Sequence, residues 1–336
     1  MPANSSTSPE TISPEKFSGL MSLLDIDFST TKRIAVAVSG GGDSMALAIL
    51  LSDWVKENGI KLHAITVDHD LRPESAMEAK TVAKILKPLG ITHKILKWEG
   101  TKPKTKIQEA ARDARYRLMS DYCLQKKIPY LCVAHHGQDQ METILFRMAK
   151  GTGLDGMAGM RPVNILDNGL TLLRPFLPIS HQDLLETLKS RKIDWIEDPS
   201  NANDRYARVR IRNTIDTLEN EGLTPERISS LSNRITNSID LINYLIEKEY
   251  KLLILHKDTE RIDINYTSLL SLPIEGKTRI LKMLISEFQP QKKYAARLED
   301  IERLAHKMGQ DFKGGTLGGC LFHKKKAVLT ISHEQK

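Results

Sequence analysis

The sequence predicts an α/β fold: a parallel, Rossmann-like sheet with helices on its faces, followed by a smaller, mainly helical α+β domain. Three observations predict it. Apolar, strand-like runs recur at 33–38, 62–67, 91–96 and 129–134. Longer helix-like stretches separate them, near 44–57, 74–89 and 106–127, with another after 138. This alternation stops after residue 150, so the rest of the chain has another architecture. A sheet of the first kind binds ligands at the carboxyl ends of its strands.

Taken in order, the segment "MPANSSTSPETISPEKF" is rich in Ser, Thr and Pro and has no apolar signal-peptide core. It predicts a flexible tail over 1–25 and a cytoplasmic protein. No apolar run approaches the ~18 residues of a membrane span. Residues 26–220 form the expected first domain, with 151–176 rich in loops and 180–192 a helix. Thr224 then caps a helix that has Pro225 in its first turn. Ile228, Leu231, Ile235, Ile239, Ile242 and Leu245 follow at three-to-four spacing and mark a long amphipathic helix. The second domain is expected over 221–336, ending in short strands and turns within "GGTLGGCLFHKKKAVLTI".

The chain carries a net charge of +7, and the excess is local. Arg205, Arg208, Arg210 and Arg212 crowd into eight residues, and Lys324, Lys325 and Lys326 are consecutive. Such patches suit a polyanion. The three cysteines, Cys123, Cys132 and Cys320, include no CxxC pair. They make no disulfide framework and no zinc ribbon, and read as buried or inert thiols.

The most informative stretch is "RIAVAVSGGGDSMALAILL", where a strand meets a helix through Ser39-Gly40-Gly41-Gly42-Asp43-Ser44. Glycines let the backbone turn sharply and approach a ligand closely. The N–H groups of the next helix start point at that ligand, at the positive end of the helix dipole. Ser39 and Ser44 add hydroxyls. Asp43 would repel a phosphate unless a cation lay between them, which suggests Mg²⁺ held by carboxylate and phosphate oxygens. The loop is not a Walker A sequence. A formal G-x-G-x-x-G at Gly151, Gly153 and Gly156 follows a helical pattern rather than a strand, so it is no dinucleotide site.

The loop resembles the SGGxDS loop of the N-type ATP pyrophosphatases, the PP-loop superfamily, which cleave ATP to AMP and pyrophosphate while adenylating a substrate. A second block, "AHHGQDQMETILFRMAKGTGLDGMAGM", resembles the AHHxDDQxET…RGxGLxGLxGM block of the tRNA(Ile)-lysidine synthetases. His135, His136, Asp139, Gln140, Glu142 and Thr143 match, whereas Gln138 stands where that family usually has an aspartate. "VDHDLRPES" resembles its VDHGLRxxS, with Asp68 and His69 kept and Asp70 in place of glycine. "EAARDARYRLM" resembles its helix with paired arginines, here Arg112 and Arg115. "LLRPFL", "WIEDPSN" and "ARVRIRN" also fit, with Val209 where the family prefers Asn. The resemblance runs from about 33 to 331.

It implies a reaction and a set of roles. ATP would sit on Ser39–Ser44, with Asp68 and His69 nearby and Mg²⁺ near Asp43. The wobble cytidine of a CAU-anticodon tRNA(Ile) would attack the α-phosphate. Free L-lysine would then displace AMP, giving lysidine. Asp43, Asp139, Glu142 and His135 would be catalytic. Asp139, Glu142 and Arg115 would bind lysine, with either acid as the base. Arg112, Arg205, Arg208, Arg210 and Arg212 would contact tRNA, helped by the basic C-terminal domain. Monomer and homodimer both stay open. The rivals are a sulfur-inserting PP-loop enzyme, a small-molecule PP-loop ligase, a zinc cytidine deaminase and a non-catalytic RNA-binding module. Missing CxxC pairs oppose the first, and the missing H-x-E…P-C-x-x-C opposes the deaminase. The second block and the basic C-terminal part oppose the small-molecule ligase. Intact Asp43, Asp139 and Glu142 oppose the binding module.

Overall fold

The computed structural model describes residues 9–71, 74–103, 105–196, 214–215, 217–288, 296–309 and 311–334. The chain divides into two compact units, Met1–Ile235 and Thr236–Lys336.

The first unit is built on a six-stranded sheet of order β3-β2-β1-β4-β6-β5. Its strands are β1 Arg33–Ala37, β2 Lys61–Asp68, β3 Thr92–Lys97, β4 Tyr130–Cys132, β5 Val163–Ile165 and β6 Thr171–Leu173. All neighbours pair in parallel except the hairpin of β5 and β6. The four long-range strands are those the apolar runs predict. Helices Gly42–Glu57, Ser75–Leu86, Ile107–Gln125 and Gly137–Met148 supply the crossovers.

Alternation along β1 shows why both faces must be covered. Ile34 and Val36 belong to one apolar core, shared with Met45, Leu47 and Leu50 of the following helix. Ala35, pointing the other way, belongs to a second core with Met119 and Cys123 of helix Ile107–Gln125. A strand buried on both faces reads as a continuous apolar run, which is what "IAVAV" is. Strand order reverses at β1, with β2 on one side and β4 on the other. A crevice therefore opens between the carboxyl ends of β1 and β4.

The expected flexible tail over 1–25 is corrected for its second half. Pro14–Ser22 is a helix with Ser13 as N-cap, the Ser13 hydroxyl accepting from Lys16 N at 3.2 Å. Phe17 and Met21 are each 1% exposed and join the first core. Ser-Pro-Glu there is a helix start, and Phe17, Leu20 and Met21 share one face. Composition alone hid this pattern. The loop-rich stretch 151–176 also holds β5 and β6, three residues each. Strands so short carry no legible period and are recruited by pairing at the sheet edge.

The second unit holds a five-stranded sheet of order β7-β8-β11-β10-β9 with every pairing antiparallel. Its strands are β7 Ile254–Lys257, β8 Arg261–Asn265, β9 Gly314–Leu317, β10 Cys320–Lys325 and β11 Val328–His333. Helices Ile274–Phe288 and Leu298–Lys307 bury Ile280, Leu281, Leu284 and Ile301 against Phe322, Leu329 and Ile331. This unit is richer in sheet than "mainly helical" implies, because β7 and β8 were not foreseen. The triple lysine lies at the β10–β11 turn, where Lys326 takes a φ of +55°.

Helix Pro225–Leu253 begins where Thr224 and Pro225 predict, with Arg227 N donating to Thr224 Oγ1 at 3.4 Å. Ile228 and Ser232, each 3% exposed, belong to the first unit. Two members of the predicted apolar stripe, Leu231 at 44% and Leu245 at 53%, are exposed. Among the described residues no helix is long and apolar enough to cross a membrane.

Candidate active site

The glycine loop closes β1 and opens helix Gly42–Glu57. Gly40 takes a φ of +100°, a region costly to any residue with a Cβ. Its carbonyl accepts from Ile196 N at 2.9 Å. The Ser44 hydroxyl organises the turn. It accepts from Ser39 N at 3.1 Å and Gly40 N at 3.2 Å, and donates to the Gly41 carbonyl at 2.9 Å. Its proton is used within the loop in this arrangement, so Ser44 shapes the cradle as well as lining the cavity.

The second block follows β4. His136 is the N-cap of helix Gly137–Met148, and Asp139 reaches back so that its Oδ2 accepts from His136 N at 3.1 Å. This reciprocal cap fixes both side chains at the helix start. His136 Nε2 lies 3.5 Å from Asp43 Oδ2 and 3.5 Å from Asp139 Oδ2. A third element joins them: His181, first residue of helix His181–Ser190, places Nδ1 2.6 Å from Asp43 Oδ1. The His136 and His181 rings stack with centroids 5.3 Å apart. Gln138 Oε1 accepts from His181 N at 2.9 Å and lies 3.1 Å from His136 Nδ1. Burial opposes ionisation of Asp43, but hydrogen bonds from His136 and His181 and their charge outweigh it. The carboxyl is held well below the usual range. Burial likewise opposes a charged His136, yet the hydrogen bond to Asp43 and the charges of Asp139 and Asp43 raise its pKa.

Beside this cluster lies a cavity of about 400 Å³, lined by Ser39, Gly41, Asp43, Ser44, His69, Arg115, Tyr116 and His135 among others. Arg174, 8% exposed, donates from Nε to His135 Nδ1 at 3.2 Å and from Nη1 to the Arg161 carbonyl at 2.8 Å. A guanidinium only donates, so His135 Nδ1 must offer its lone pair. Burial depresses the His135 pKa to about 4, with Asp139 opposing and Arg174 and Arg112 adding to the fall. At neutral pH His135 is therefore uncharged and carries its proton on Nε2, a donor and not a base. His69 is also depressed to about 4, by burial and by Arg115, and its buried Nδ1 has no partner among the described residues. Burial lowers the pKa values of Arg115 and Arg174, which remain charged.

The predicted residues thus fall into four sets. Ser39, Gly41, Asp43, Ser44, His69, Arg115 and His135 line one cavity, and Gly40 and Gly42 shape its loop. Asp139 is tied to Asp43 through His136, and Glu142 is buried one turn further along the same helix. Asp68 and Arg112 are not lining residues. Asp68, 7% exposed, accepts from Asp70 N at 2.9 Å, and Arg112 lies over the Tyr116 ring at 5.1 Å. Asp70 holds the left-handed turn (φ +53°) that a glycine would otherwise supply, so that departure keeps the backbone. Arg205, Arg208, Arg210 and Arg212 lie outside the described residues. Sequence reasoning missed His181, Arg174 and the bridging role of Gln138. His181 meets Asp43 across 138 positions of chain. No local pattern signals that contact.

Asp43 offers one ionised carboxylate at the mouth of a phosphate-type loop, which is how Mg²⁺ is usually held together with substrate phosphates. The residues fit that ion, with the imidazoles positioning Asp43, since nitrogen is a poor Mg²⁺ ligand. All three cysteines are free and buried. Burial pushes the Cys123 thiol up to about 12.

Residues 11–218 match the PP-loop domain family. The chain is 36% identical over 302 residues to the tRNA(Ile)-lysidine synthase of Bradyrhizobium sp., covering 87% of this chain and 84% of that protein. It is 36% identical over 313 residues to the tRNA(Ile)-lysidine synthase of Methylobacterium nodulans, covering 90% of each. Its fold is similar to that of the U34-tRNA thiolase NcsA from Methanococcus maripaludis, solved with its [4Fe-4S] cluster. The TM-score is 0.58 at 18% identity, over 66% of this chain and 78% of that one.

Proposed function

The chain belongs to the PP-loop tRNA(Ile)-lysidine synthase family. From that membership we propose that it uses ATP to join lysine to C2 of the wobble cytidine of a CAU-anticodon tRNA(Ile). One observation carries the reading at the level of the site. The Ser39–Ser44 loop and the His135–Glu142 block flank the crevice where strand order reverses, and Asp43 and His136 join them.

In this reading the ATP phosphates lie against the loop, and Mg²⁺, when bound with Asp43, would offset charge on the pyrophosphate. The cytidine O2 attacks the α-phosphorus, the bond to the β-phosphate bridging oxygen breaks, and pyrophosphate leaves. His135 donates its Nε2 proton in a hydrogen bond to the oxygen where charge develops. Arg174 keeps that tautomer in place. Asp139 and Glu142 receive the ammonium of lysine, and Arg115 faces its carboxylate. Once the ammonium gives a proton to one of these acids, the amine attacks C2 and AMP leaves with the bonding electrons. Arg112, Arg205, Arg208, Arg210, Arg212 and the basic C-terminal unit would hold the tRNA, and the protein would act in the cytoplasm as a monomer or homodimer.

Labelled lysine, ATP and two transcripts test the reading, one with the CAU anticodon and one with uridine at the wobble position. Label should enter only the first, with AMP formed in equal amount. AMP without label in RNA would replace lysine by another nucleophile. No AMP with either transcript would refute the reading.

A further inference from the structure

We propose that Asp43, His136 and His181 form a site for one borderline divalent cation of the Zn²⁺, Co²⁺ or Mn²⁺ type, assembled without nucleotide. One carboxylate oxygen and two imidazole nitrogens lie within 4.8 Å of one another. They come from three elements, the helices that start at Gly42, Gly137 and His181. Three helix starts converge on one point, and each brings one ligand.

The spacing suits an ion. Two ligand bonds of about 2.0 Å at a tetrahedral angle put the ligand atoms roughly 3.3 Å apart. His136 Nε2 and Asp43 Oδ2 are already at 3.5 Å. Asp43 Oδ1 and His181 Nδ1, at 2.6 Å, share a proton and need to part by less than about 1 Å. The His181 side chain is 44% exposed, so a small rotation is open to it. The ion takes the place of protons now held between these groups and releases them to solvent.

The surroundings orient the ligands as metal sites require. Gln138 Oε1 accepts from His181 N, which fixes that atom as the oxygen of the amide. An amide oxygen only accepts, so His136 keeps a proton on Nδ1, and Nε2, whose proton now faces Asp43, is the nitrogen that takes the ion once that proton leaves. Gln138 is neutral, leaving a donor set of two imidazoles to one carboxylate. That set suits Zn²⁺, Co²⁺ or Mn²⁺ better than Mg²⁺. Once a nucleotide supplies phosphate oxygens the balance shifts to hard donors, so this site and Mg²⁺ with ATP are compatible uses of Asp43. Asp43 also lines the cavity, so water or a substrate atom can complete the coordination from that side, as in sites that keep one place open. The inference needs neither ATP nor tRNA, so it stands or falls apart from the proposed reaction.

The test titrates the full-length protein with Co²⁺ in the absence of nucleotide and follows the visible d–d absorption. The expected result is one saturable equivalent with nitrogen and oxygen ligation, displaced by Zn²⁺ and not by millimolar Mg²⁺. H181A and H181N should each weaken Co²⁺ binding at least about tenfold. H181N keeps the helix start polar, and circular dichroism checks that both variants fold. H256A removes the exposed His256–Asp258 pair of the other unit and should leave Co²⁺ binding unchanged. No saturable spectrum, or unchanged binding in both His181 variants, would overturn the proposal.

Discussion

Replacing Gly40 with alanine tests whether backbone strain and crowding make this position of the phosphate loop need a glycine where Gly41 does not. Gly40 sits at a φ of +100°. An L-residue held in left-handed backbone costs about 1–2 kcal/mol. The new Cβ would also meet Ile196 Cδ1 and Val82 Cγ2, each at 2.9 Å. Val82 belongs to the packed core, and Ile196 packs against it partly buried. Overpacking of this kind costs about 1–3 kcal/mol. Together the two effects give a loss of about 2–5 kcal/mol. Gly41, one residue on, is the internal control. Its φ is −68°, and a Cβ there would meet only the Ser39 hydroxyl, at 3.8 Å. Gly41→Ala gains a little from a stiffer unfolded chain and loses a little as an N-cap, for a net change within about 1 kcal/mol. Urea unfolding of both variants decides the matter. If the two lose equal stability, or if Gly41→Ala is the worse, the assignment of backbone strain and crowding to Gly40 is wrong.

Other consequences follow from the same geometry. Asp43→Asn removes the charge that His136 and His181 hold, and AMP formation should fall at least about 100-fold; near-normal pyrophosphate release would exclude Asp43 from the chemistry. The unfolded His69 and His135 bind protons near 6.5 but the folded ones only near 4, so unfolding takes up protons between those values. Stability should therefore fall as pH drops from about 6.5 to about 4. His136 acts in the opposite sense: its raised pKa gives a contribution complete below about 6.5 and lost as pH rises through the folded value. A plot of Tm against pH should peak near neutrality, and a plateau down to pH 4 would contradict the buried neutral histidines. A chain ending at 220 loses Ile228, packed with Met141 and Ile144, and Ser232, which accepts from Gln140 Nε2 at 3.0 Å. It should be about 3–6 kcal/mol less stable than one ending at 240, with cavity and unsatisfied amide both contributing; equal urea midpoints would show that the helix start contributes nothing to the first unit. Deletion from 241 onward should weaken tRNA binding far more than ATP binding, and equal loss of both would argue against a separate RNA-binding unit.

The α/β order of the first unit was legible because helix and strand each impose a period that a long element must repeat. "IAVAV" is apolar throughout because β1 is covered on both faces, and the next strands repeat the signal. The glycine loop was legible because backbone chemistry restricts which residues can make a tight strand-to-helix turn. Asp139 and His135 could be placed at a sheet edge from the end of one strand and the start of one helix. Elements without a long period stayed hidden: the three-residue β5 and β6, and a helix at 14–22 inside a segment whose composition reads as tail.

What the sequence by itself determined is local: the loop, the capped helix starts, and the side of the sheet on which they lie. Only the tertiary structure decided the partners. Asp43 is ionised and aimed because His181 arrives from the start of a helix 138 positions away. His135 is neutral because its surroundings disfavour a charge, and it donates from Nε2 because Arg174, on the segment after β6, takes its other nitrogen. Ser44 shapes the loop because its proton goes to Gly41. The reason is physical. Periodicity and turn chemistry act over a few residues, whereas a protonation state is set by whatever groups the whole fold brings within about 4 Å.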